Sequence, residues 1–181
     1  MVKFVGIAGS LRSNSYSQLA LGLACDRLRA LGAEVEQLDL REMDLPLCHG
    51  GKEYPNHPDV ARLQQAFLEA DGFVLVTPEY HGSVSGVLKN ALDLMSFEQL
   101  DGKVAGAISI LGGQSNNNAL NDLRTILRWV HSWVIPEQVA IGQAWQAFDD
   151  QGKLTDEKLS QRLDGFAQSL FDNTRKLRGV D

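Results

Sequence analysis

The sequence predicts a three-layer α/β protein in which helices cover both faces of a five-stranded parallel sheet. Short apolar segments of strand length alternate with segments in which apolar residues recur every three or four positions. The strand segments are apolar almost throughout, which is typical of strands buried on both faces. Five strands, each followed by a helix, indicate one doubly wound domain that spans residues 1–181.

The first strand and helix are predicted at Lys3–Ala8 and Ser15–Leu31. The strand segment is short and apolar and contains β-branched residues. In the helix segment the apolar residues recur at spacings of three and four, and Gly32 is a suitable helix end. The next segment, Glu34–Leu40, mixes apolar and polar residues, which predicts a second strand with one wetter face.

The middle of the chain continues the alternation. Leu45–Pro58 is rich in Pro, His and Gly and is typical of a loop. A helix is predicted at Val60–Ala70. Gly72–Thr77, with the sequence GFVLVT, is the most strand-like segment of the chain. The next helix is predicted at Val84–Met95, and serines begin it.

The last part of the chain contains two predicted strands and two predicted helices. The strands are Val104–Leu111 and a short one at Gln138–Ile141, and the helix between them is Asn118–Val134. A long helix at Thr155–Arg178 closes the chain, with Thr155 as its N-cap and acidic residues in its first turn.

Two tryptophans, Trp129 and Trp133, lie four residues apart in one predicted helix and are flanked by aliphatic residues. This spacing places them on one helix face, and packing in the core is the simplest interpretation. An interface between subunits is the alternative.

Composition and charge exclude several classes of protein. The 181 residues carry a net charge of −6, which argues against binding to a nucleic-acid backbone. Cys25 and Cys48 form no CxxC motif and no disulfide framework, which favours a reducing compartment. No segment has the length and hydrophobicity of a membrane span, and the N-terminus lacks the pattern of a signal peptide. We therefore expect a cytoplasmic protein that does not insert into membranes.

Right-handed crossovers and five strands favour the sheet order 2-1-3-4-5, in which a crevice opens between strands 1 and 3 at their carboxyl ends. Three connections reach this edge of the sheet. We call them the first loop, Gly9–Ser17, the second loop, Thr77–Ser85, and the third loop, Gly112–Asn118. All three are rich in Gly and in short hydroxyl or amide side chains, which indicates a binding site.

The first loop matches neither GxGxxG nor GxxxxGK[ST], so the sequence does not support a dinucleotide or triphosphate site of those kinds. It instead places Arg12 among serines at a helix N-terminus, where unpaired N–H groups and the helix dipole favour an anion. One serine, Ser13 or Ser15, can be a simple N-cap, but a cap does not account for Arg12 and the remaining serines. We interpret the loop as a site for one phosphate monoester.

The second loop combines Pro78, which restricts the backbone, with flat side chains and the permissive Gly82. It can present backbone polar groups to the edge of a planar ring, or it can be a surface turn with an exposed Tyr and His. Ser83 or Ser85 is expected to cap the following helix. The pair Gly112 and Gly113 in the third loop allows a ligand to approach the backbone closely, and is equally consistent with a tight turn.

These motifs resemble the NADPH-dependent FMN reductase family, which includes bacterial quinone, azo-dye and chromate reductases. GSLRSNS at Gly9–Ser15 is similar to the family's phosphate loop, and TPEYHGSVSGVLKNALD at Thr77–Asp93 to its flavin-ring loop and the helix after it. LGGQ at Leu111–Gln114 stands where the family has a glycine-rich third loop. His81 departs from the Asn of many members.

The resemblance implies a flavodoxin-like fold and FMN as the cofactor, with NADPH or NADH as the co-substrate. It implies ping-pong hydride transfer through bound FMN to a small-molecule acceptor, such as a quinone, free flavin, azo dye or chromate. It also implies a homodimer or homotetramer. The protein then needs no catalytic side chain and no metal. The implied FMN-binding residues are Ser10, Arg12, Ser15 and Ser17 for the phosphate, Pro78, Glu79, Tyr80, His81, Gly82 and Ser83 around the ring, and Gly112, Gly113 and Gln114 at its pyrimidine edge.

The same topology is compatible with two other functions. A flavodoxin-like FMN electron carrier would bind the cofactor without efficient NAD(P)H turnover, but such carriers rely on a strongly acidic docking face, and a charge of −6 is modest. A phosphoacceptor signalling domain needs carboxylates after the first strand. The residues there are Ala8, Gly9 and Ser10, so we set that function aside.

Overall fold

Five parallel strands form one sheet in the order β2-β1-β3-β4-β5, as predicted. The computed structural model describes residues 1–51 and 53–179. The strands are β1 Lys3–Ala8, β2 Glu34–Leu38, β3 Gly72–Pro78, β4 Val104–Ile110 and β5 Trp133–Ile141. The helices are α1 Tyr16–Ala30, α2 Pro58–Glu69, α3 Gly86–Asp93, α4 Phe97–Leu100, α5 Asn118–Trp129, α6 Ala144–Ala147 and α7 Glu157–Arg178.

Each face of the sheet has its own hydrophobic core. Alternate residues of β1 serve the two cores, because successive side chains of a strand point to opposite faces. Phe4 packs on the face covered by α1 and α7, whereas Val5 and Ile7 pack on the face covered by α2, α3 and α5. None of the helices among the described residues has the length and apolar character needed to cross a membrane.

The carboxyl ends of all five strands lie at one edge of the sheet. The central pair β1 and β3 is in register from Phe4 with Gly72 to Ala8 with Val76. After β1 the chain turns to one face through α1, and after β3 it turns to the other face through α3. The first and second loops therefore leave neighbouring strands in opposite directions, and the predicted crevice lies between them.

The segment after α5 differs from the prediction, which continued the helix to Val134 and began the last strand at Gln138. The helix ends at Trp129, and His131 has a φ of 62°, a left-handed conformation that a right-handed helix cannot contain. β5 begins at Trp133, which pairs with the first residue of β4.

The prediction that Trp129 and Trp133 pack in the core is wrong. Their side chains are 70% and 61% exposed, because the two residues lie on different elements on either side of the turn at His131. The alternative, an interface between subunits, stays a prediction.

The other predicted bounds agree with the structure to within two residues. Ser15 is the N-cap of α1, as expected, and Ser85 rather than Ser83 caps α3. The N-cap of α7 is Asp156 instead of Thr155, because the hydroxyl of Thr155 donates to the carbonyl of Gln146. The single-turn helices α4 and α6 were not predicted.

Candidate functional site

A cavity of about 320 Å³ lies between the first and second loops at the carboxyl edge of the sheet. Its walls are formed by residues of all three loops and of the single-turn helix α6. The lining residues are Ser10, Arg12, Asn14, Ser15, Tyr16, Ser17, Pro78, Glu79, Tyr80, Ile110, Leu111, Gly112, Ala144 and Trp145. Eight of the predicted site residues therefore line one cavity, which we call the loop cavity.

The first loop supplies polar groups that the protein itself leaves unpaired. Ser10 and Ser17 are only 3% and 2% exposed, yet both line the loop cavity. Within residues 1–51 and 53–179, neither hydroxyl has a hydrogen-bond partner, and the guanidinium of Arg12 has no partner either. A hydroxyl that faces a cavity without a protein partner can both donate a hydrogen bond to a ligand and accept one from it. These groups suit an oxyanion such as a phosphate monoester.

Ser15 has a structural role as well. Its Oγ accepts a hydrogen bond from the backbone N–H of Gln18 at 3.3 Å and so caps α1. The hydroxyl hydrogen stays available to a ligand, because the cap uses only a lone pair of the oxygen.

An ion pair after β2 supports the first loop from outside. The guanidinium of Arg41 binds Asp39 through Nε and Nη2, and its Nη1 donates to the carbonyl of Ser13 at 3.2 Å. Asp39 also accepts from the side chain of Gln18 at 3.3 Å. The hydrogen bond from Arg41 holds the pKa of Asp39 below its ordinary value, so the pair stays ionised at neutral pH. Sequence reasoning missed this support, because no local pattern links residues 39–41 to the first loop.

The first and second loops are joined through Ser85. Its hydroxyl donates to the carbonyl of Gly9 at 2.6 Å and accepts from the N–H of Leu88, while its own N–H donates to the hydroxyl of Thr77. A Cβ at Gly9 would lie 2.4 Å from the Oγ of Ser85, so only glycine fits. The two loops are therefore fixed relative to each other before any ligand binds.

The second loop ends in a tight turn. The backbone groups of Tyr80 and Ser83 hydrogen-bond to each other in both directions at 3.1 Å. His81 and Gly82 between them have φ values of 53° and 80°, the pattern of a type I′ turn. Among the second-loop residues predicted to bind the ring, Pro78, Glu79 and Tyr80 line the loop cavity, whereas His81, Gly82 and Ser83 lie beyond it. The hydroxyl of Ser83 instead donates to Asp122 on α5 at 2.6 Å.

The side chain of Glu79 hydrogen-bonds at the N-terminus of α5. One carboxylate oxygen accepts from the N–H of Ala119 at 3.2 Å, and the other accepts from the amide of Asn116 at 2.9 Å. The side chain of the N-cap residue Asn117 makes no capping hydrogen bond. Glu79 accepts that hydrogen bond instead, from the neighbouring loop. Glu79 can still offer its backbone to the cavity.

The third loop is divided between two cavities. Gly112 lines the loop cavity, while Gln114 lines a neighbouring one, and Gly113 lines neither. The carbonyl of Gly113 accepts a hydrogen bond from the N–H of Gln143 at 2.7 Å, which ties the third loop to the start of α6.

Two aromatic residues of the loop cavity were not predicted. Tyr16, the first residue of α1, stacks on Phe148 with ring centroids 5.6 Å apart. Trp145 on α6 is 61% exposed, and like Tyr80 it presents an exposed aromatic ring to the cavity. The only sequence signal was a tryptophan shortly after a strand, and a helix of one turn has no periodicity by which to place it.

The described residues contain no group of three or more His, Cys, Asp or Glu side chains that could hold a metal ion. Cys25 is a buried residue of α1, and burial raises the pKa of its thiol to about 12, so it stays protonated. The chemistry that the loop cavity itself offers is binding of an anion and of a flat ring.

Comparison with known proteins identifies relatives across nearly the whole chain. Residues 2–146 match the family described as NADPH-dependent FMN reductase. The NAD(P)H-dependent FMN reductase PA1204 of Pseudomonas aeruginosa is 36% identical over 187 residues, covering 98% of each chain. The NADPH-dependent FMN reductase ArsH of Shigella flexneri is 30% identical, covering 98% of this chain and 70% of the relative.

A solved structure has the same fold. The flavoenzyme NAD(P)H:(acceptor) oxidoreductase FerB from Paracoccus denitrificans superposes with a TM-score of 0.80 and 26% sequence identity. The match covers 97% of this chain and 98% of that one.

Proposed function

Because this chain belongs to the NADPH-dependent FMN reductase family, we propose that it binds FMN in the loop cavity and reduces small-molecule acceptors with NAD(P)H. FMN bound there would supply the redox chemistry, which is hydride transfer from NAD(P)H and electron transfer to the acceptor. The protein's residues bind and orient the cofactor and leave the approach to its ring open.

One observation carries this proposal. The hydroxyls of Ser10 and Ser17 and the guanidinium of Arg12 face one cavity without partners among the described residues. A hydrogen bond to a charged group contributes about 1.5–3 kcal/mol, so three such donors bind a phosphate monoester firmly. Ser15 adds its hydroxyl hydrogen to the same group.

The other predicted residues have different parts in the proposal. Pro78, Glu79 and Tyr80 would border the ring with their backbone, and Gly112 would let it approach the third loop closely. His81, Gly82 and Ser83 would act through the turn that shapes this border. We place Gly113 and Gln114 at the pyrimidine edge, where backbone N–H groups can hydrogen-bond to the ring.

We propose quinones as the acceptors and the cytoplasm as the compartment. A quinone is flat and needs no basic or acidic side chain to bind over an exposed ring, and the loop cavity offers Tyr80 and Trp145 as apolar walls. Both cysteines are free thiols, which suits a reducing compartment.

We also propose that the protein is a homodimer or homotetramer. Phe97, Trp129 and Trp133 are exposed on the side of the molecule where α4, α5 and β5 meet. Beside Trp129, an apolar groove of about 400 Å³ runs between α3 and α5. Exposed apolar patches of this kind mark protein interfaces. Light scattering at micromolar concentration that finds only monomer would refute the assembly.

The function is tested on the purified protein. We expect the absorption bands of bound flavin, or their appearance on titration with FMN, and rapid oxidation of NADPH in the presence of p-benzoquinone. Arg12→Ala is expected to weaken FMN binding about tenfold or more. Arg62→Ala, which removes an exposed arginine on α2, is the matched control and should bind FMN as the wild type does.

Two results would contradict the proposal. A folded protein that stays colourless and does not bind FMN would exclude the flavin function altogether. A protein that binds FMN but oxidises NADPH no faster than free FMN does would instead be an electron carrier, the alternative considered above.

A further inference from the structure

A second cavity of about 540 Å³ lies on the other side of the third loop, and its role is not explained by FMN binding. Polar and charged residues dominate its lining. The lining residues are Gln114, Ser115, Ala140, Gly142, Gln143, Asp156, Lys158, Leu159 and Arg162. We call it the α7 cavity.

The third loop and the start of α6 form the wall between the two cavities. Gly112 faces the loop cavity, and Gln114, two residues later, faces the α7 cavity. In the same way Ala144 faces the first and Gln143 the second. A ligand that is bound over the ring in the loop cavity can therefore extend across this wall into the α7 cavity.

Two cations of α7 face this cavity together. Lys158 and Arg162 are one helical turn apart, on the same side of the helix. Within residues 1–51 and 53–179, neither side chain has a hydrogen-bond or ion-pair partner. Like charges at this spacing repel each other, so the pair is unfavourable in the free protein and favourable once an anion lies between them.

The carboxylate in the cavity does not neutralise these cations. Asp156 accepts a hydrogen bond from the backbone N–H of Lys158 at 2.8 Å and is thereby the N-cap of α7. The remaining polar groups, Gln114, Ser115 and Gln143, carry amide and hydroxyl donors that also suit a phosphate.

We propose that Lys158 and Arg162 bind a phosphate group of the dinucleotide co-substrate, away from its nicotinamide. This rests on the proposed function, because the nicotinamide must lie over the ring in the loop cavity. The 2′-phosphate of NADPH and the pyrophosphate shared by NADPH and NADH both present anionic phosphate oxygens to a pair of cations. The experiment below distinguishes them.

The test uses the FMN-loaded protein and the variants Lys158→Ala, Arg162→Ala and their combination. Isothermal titration with NADP⁺ and with NAD⁺ measures binding directly, and steady-state kinetics with p-benzoquinone measures kcat and KM for NADPH and for NADH. For the double variant we expect the Kd of NADP⁺ and the KM for NADPH to rise about tenfold or more. Added salt should weaken NADP⁺ binding to the wild type more than to the double variant.

The two nucleotides identify the phosphate. An effect on NADP⁺ and NADPH alone supports the proposal with the 2′-phosphate as the ligand, and an equal effect on both nucleotides supports it with the pyrophosphate. Arg162→Lys keeps the charge, so it should retain most of the nucleotide affinity that Arg162→Ala loses. Lys176→Ala removes an exposed cation from the last turn of the same helix and should change neither the Kd of NADP⁺ nor the KM for NADPH.

Unchanged binding of both nucleotides in the double variant, with thermal melting equal to that of the wild type, would overturn the inference. The outcome is separable from failure of the proposed function, because FMN affinity is measured on the same preparations. A wild-type protein that binds no FMN overturns both. A protein that binds FMN and oxidises NADPH, but is indifferent to the loss of Lys158 and Arg162, overturns only the phosphate site.

Discussion

The hydroxyl oxygen of Ser85 lies 2.6 Å from the carbonyl oxygen of Gly9, and this hydrogen bond joins the second loop to the first across the boundary of β3 and β1. Ser85 also caps α3. One buried side chain therefore sets the position of the second loop relative to the first-loop groups that we propose bind the phosphate. The proposed site depends on this spacing as much as on the residues that contact the cofactor.

Ser85→Ala should lower both stability and FMN affinity. Loss of the cap and of a buried hydrogen bond is expected to reduce the free energy of unfolding by about 1–3 kcal/mol. FMN affinity should fall about tenfold, because the loops lose their fixed spacing. Urea unfolding of the apoprotein and a fluorescence titration with FMN measure the two effects.

The matched control is Ser96→Ala. Ser96 caps the short helix α4, before β4 and therefore at the opposite edge of the sheet. This variant should lose stability and keep its FMN affinity. Equal FMN affinities in wild type and Ser85→Ala would show that the link between the loops does not matter for binding.

The three loops could be predicted from sequence because their signals are local. A buried parallel strand is an apolar run, and the Gly, Ser and Arg residues that follow it predict a binding loop without knowledge of the rest of the chain. The strand order followed from handedness and strand number. The sequence thus led to eight of the fourteen residues of the loop cavity.

What the sequence did not reveal depends on contacts between distant parts of the chain. Val130 and Val134 continue the helical spacing of α5, and nothing in the sequence marks the left-handed φ of His131 that ends the helix. The support of the first loop by Arg41 spans 28 residues. The position of Trp145 depends on a helix of one turn, which has too few residues to show a period.

Glu79 should matter more for stability than for FMN binding. Its carboxylate supplies the cap that Asn117 does not make for α5, so Glu79→Ala is expected to cost about 0.5–2 kcal/mol of stability. Its backbone, which borders the proposed ring site, is unchanged by the substitution. We expect FMN affinity to stay within about threefold of the wild type, a difference below about 1 kcal/mol.

The same measurements on Glu79→Gln separate charge from shape. Glutamine keeps one acceptor but loses the charge at the helix N-terminus, so its stability should lie between those of the wild type and the alanine variant. A loss of FMN affinity much larger than threefold at unchanged stability would instead place the Glu79 carboxylate on the cofactor.

The turn of the second loop should tolerate Asn at position 81 better than the native His. His81 and Gly82 both have positive φ, and Asn-Gly is the preferred pair for a type I′ turn. His81→Asn is therefore expected to raise the free energy of unfolding by about 0.5 kcal/mol, and Gly82→Ala to lower it by about 1 kcal/mol. Urea unfolding of the apoprotein measures both.

Gly86→Ala is the control for this pair. Gly86 is the first residue of α3, it has no positive φ, and a Cβ there meets no atom within 4 Å. Alanine should be neutral or slightly stabilising at this position. Destabilisation by His81→Asn would show that the imidazole makes a contribution that outweighs its backbone conformation.

Lys103 should make stability depend on pH at alkaline values. Its ammonium group is buried at the end of α2, where it donates to the carbonyls of Phe67, Leu68 and Ala70. Burial, together with repulsion from Arg178, lowers the pKa of Lys103 to about 8 from its ordinary value of 10.5, and attraction to Asp71 offsets only part of this. Between about pH 8 and about pH 10.5, Lys103 is protonated more often in the unfolded chain than in the folded protein. Stability from this group therefore increases as the pH rises through that interval.

The prediction is tested by the difference in unfolding free energy between the wild type and Lys103→Met. From about pH 7 to about pH 9.5, the free energy of unfolding of the wild type should rise by about 1–2 kcal/mol relative to that of the variant. The shift of Cys25, whose pKa burial raises to about 12, acts in the opposite direction but is present in both proteins and cancels in the difference. Lys176→Met, which removes an exposed lysine, controls for the loss of a positive charge. A difference that stays constant over this range would mean that the three carbonyls stabilise the ammonium form enough to offset its burial.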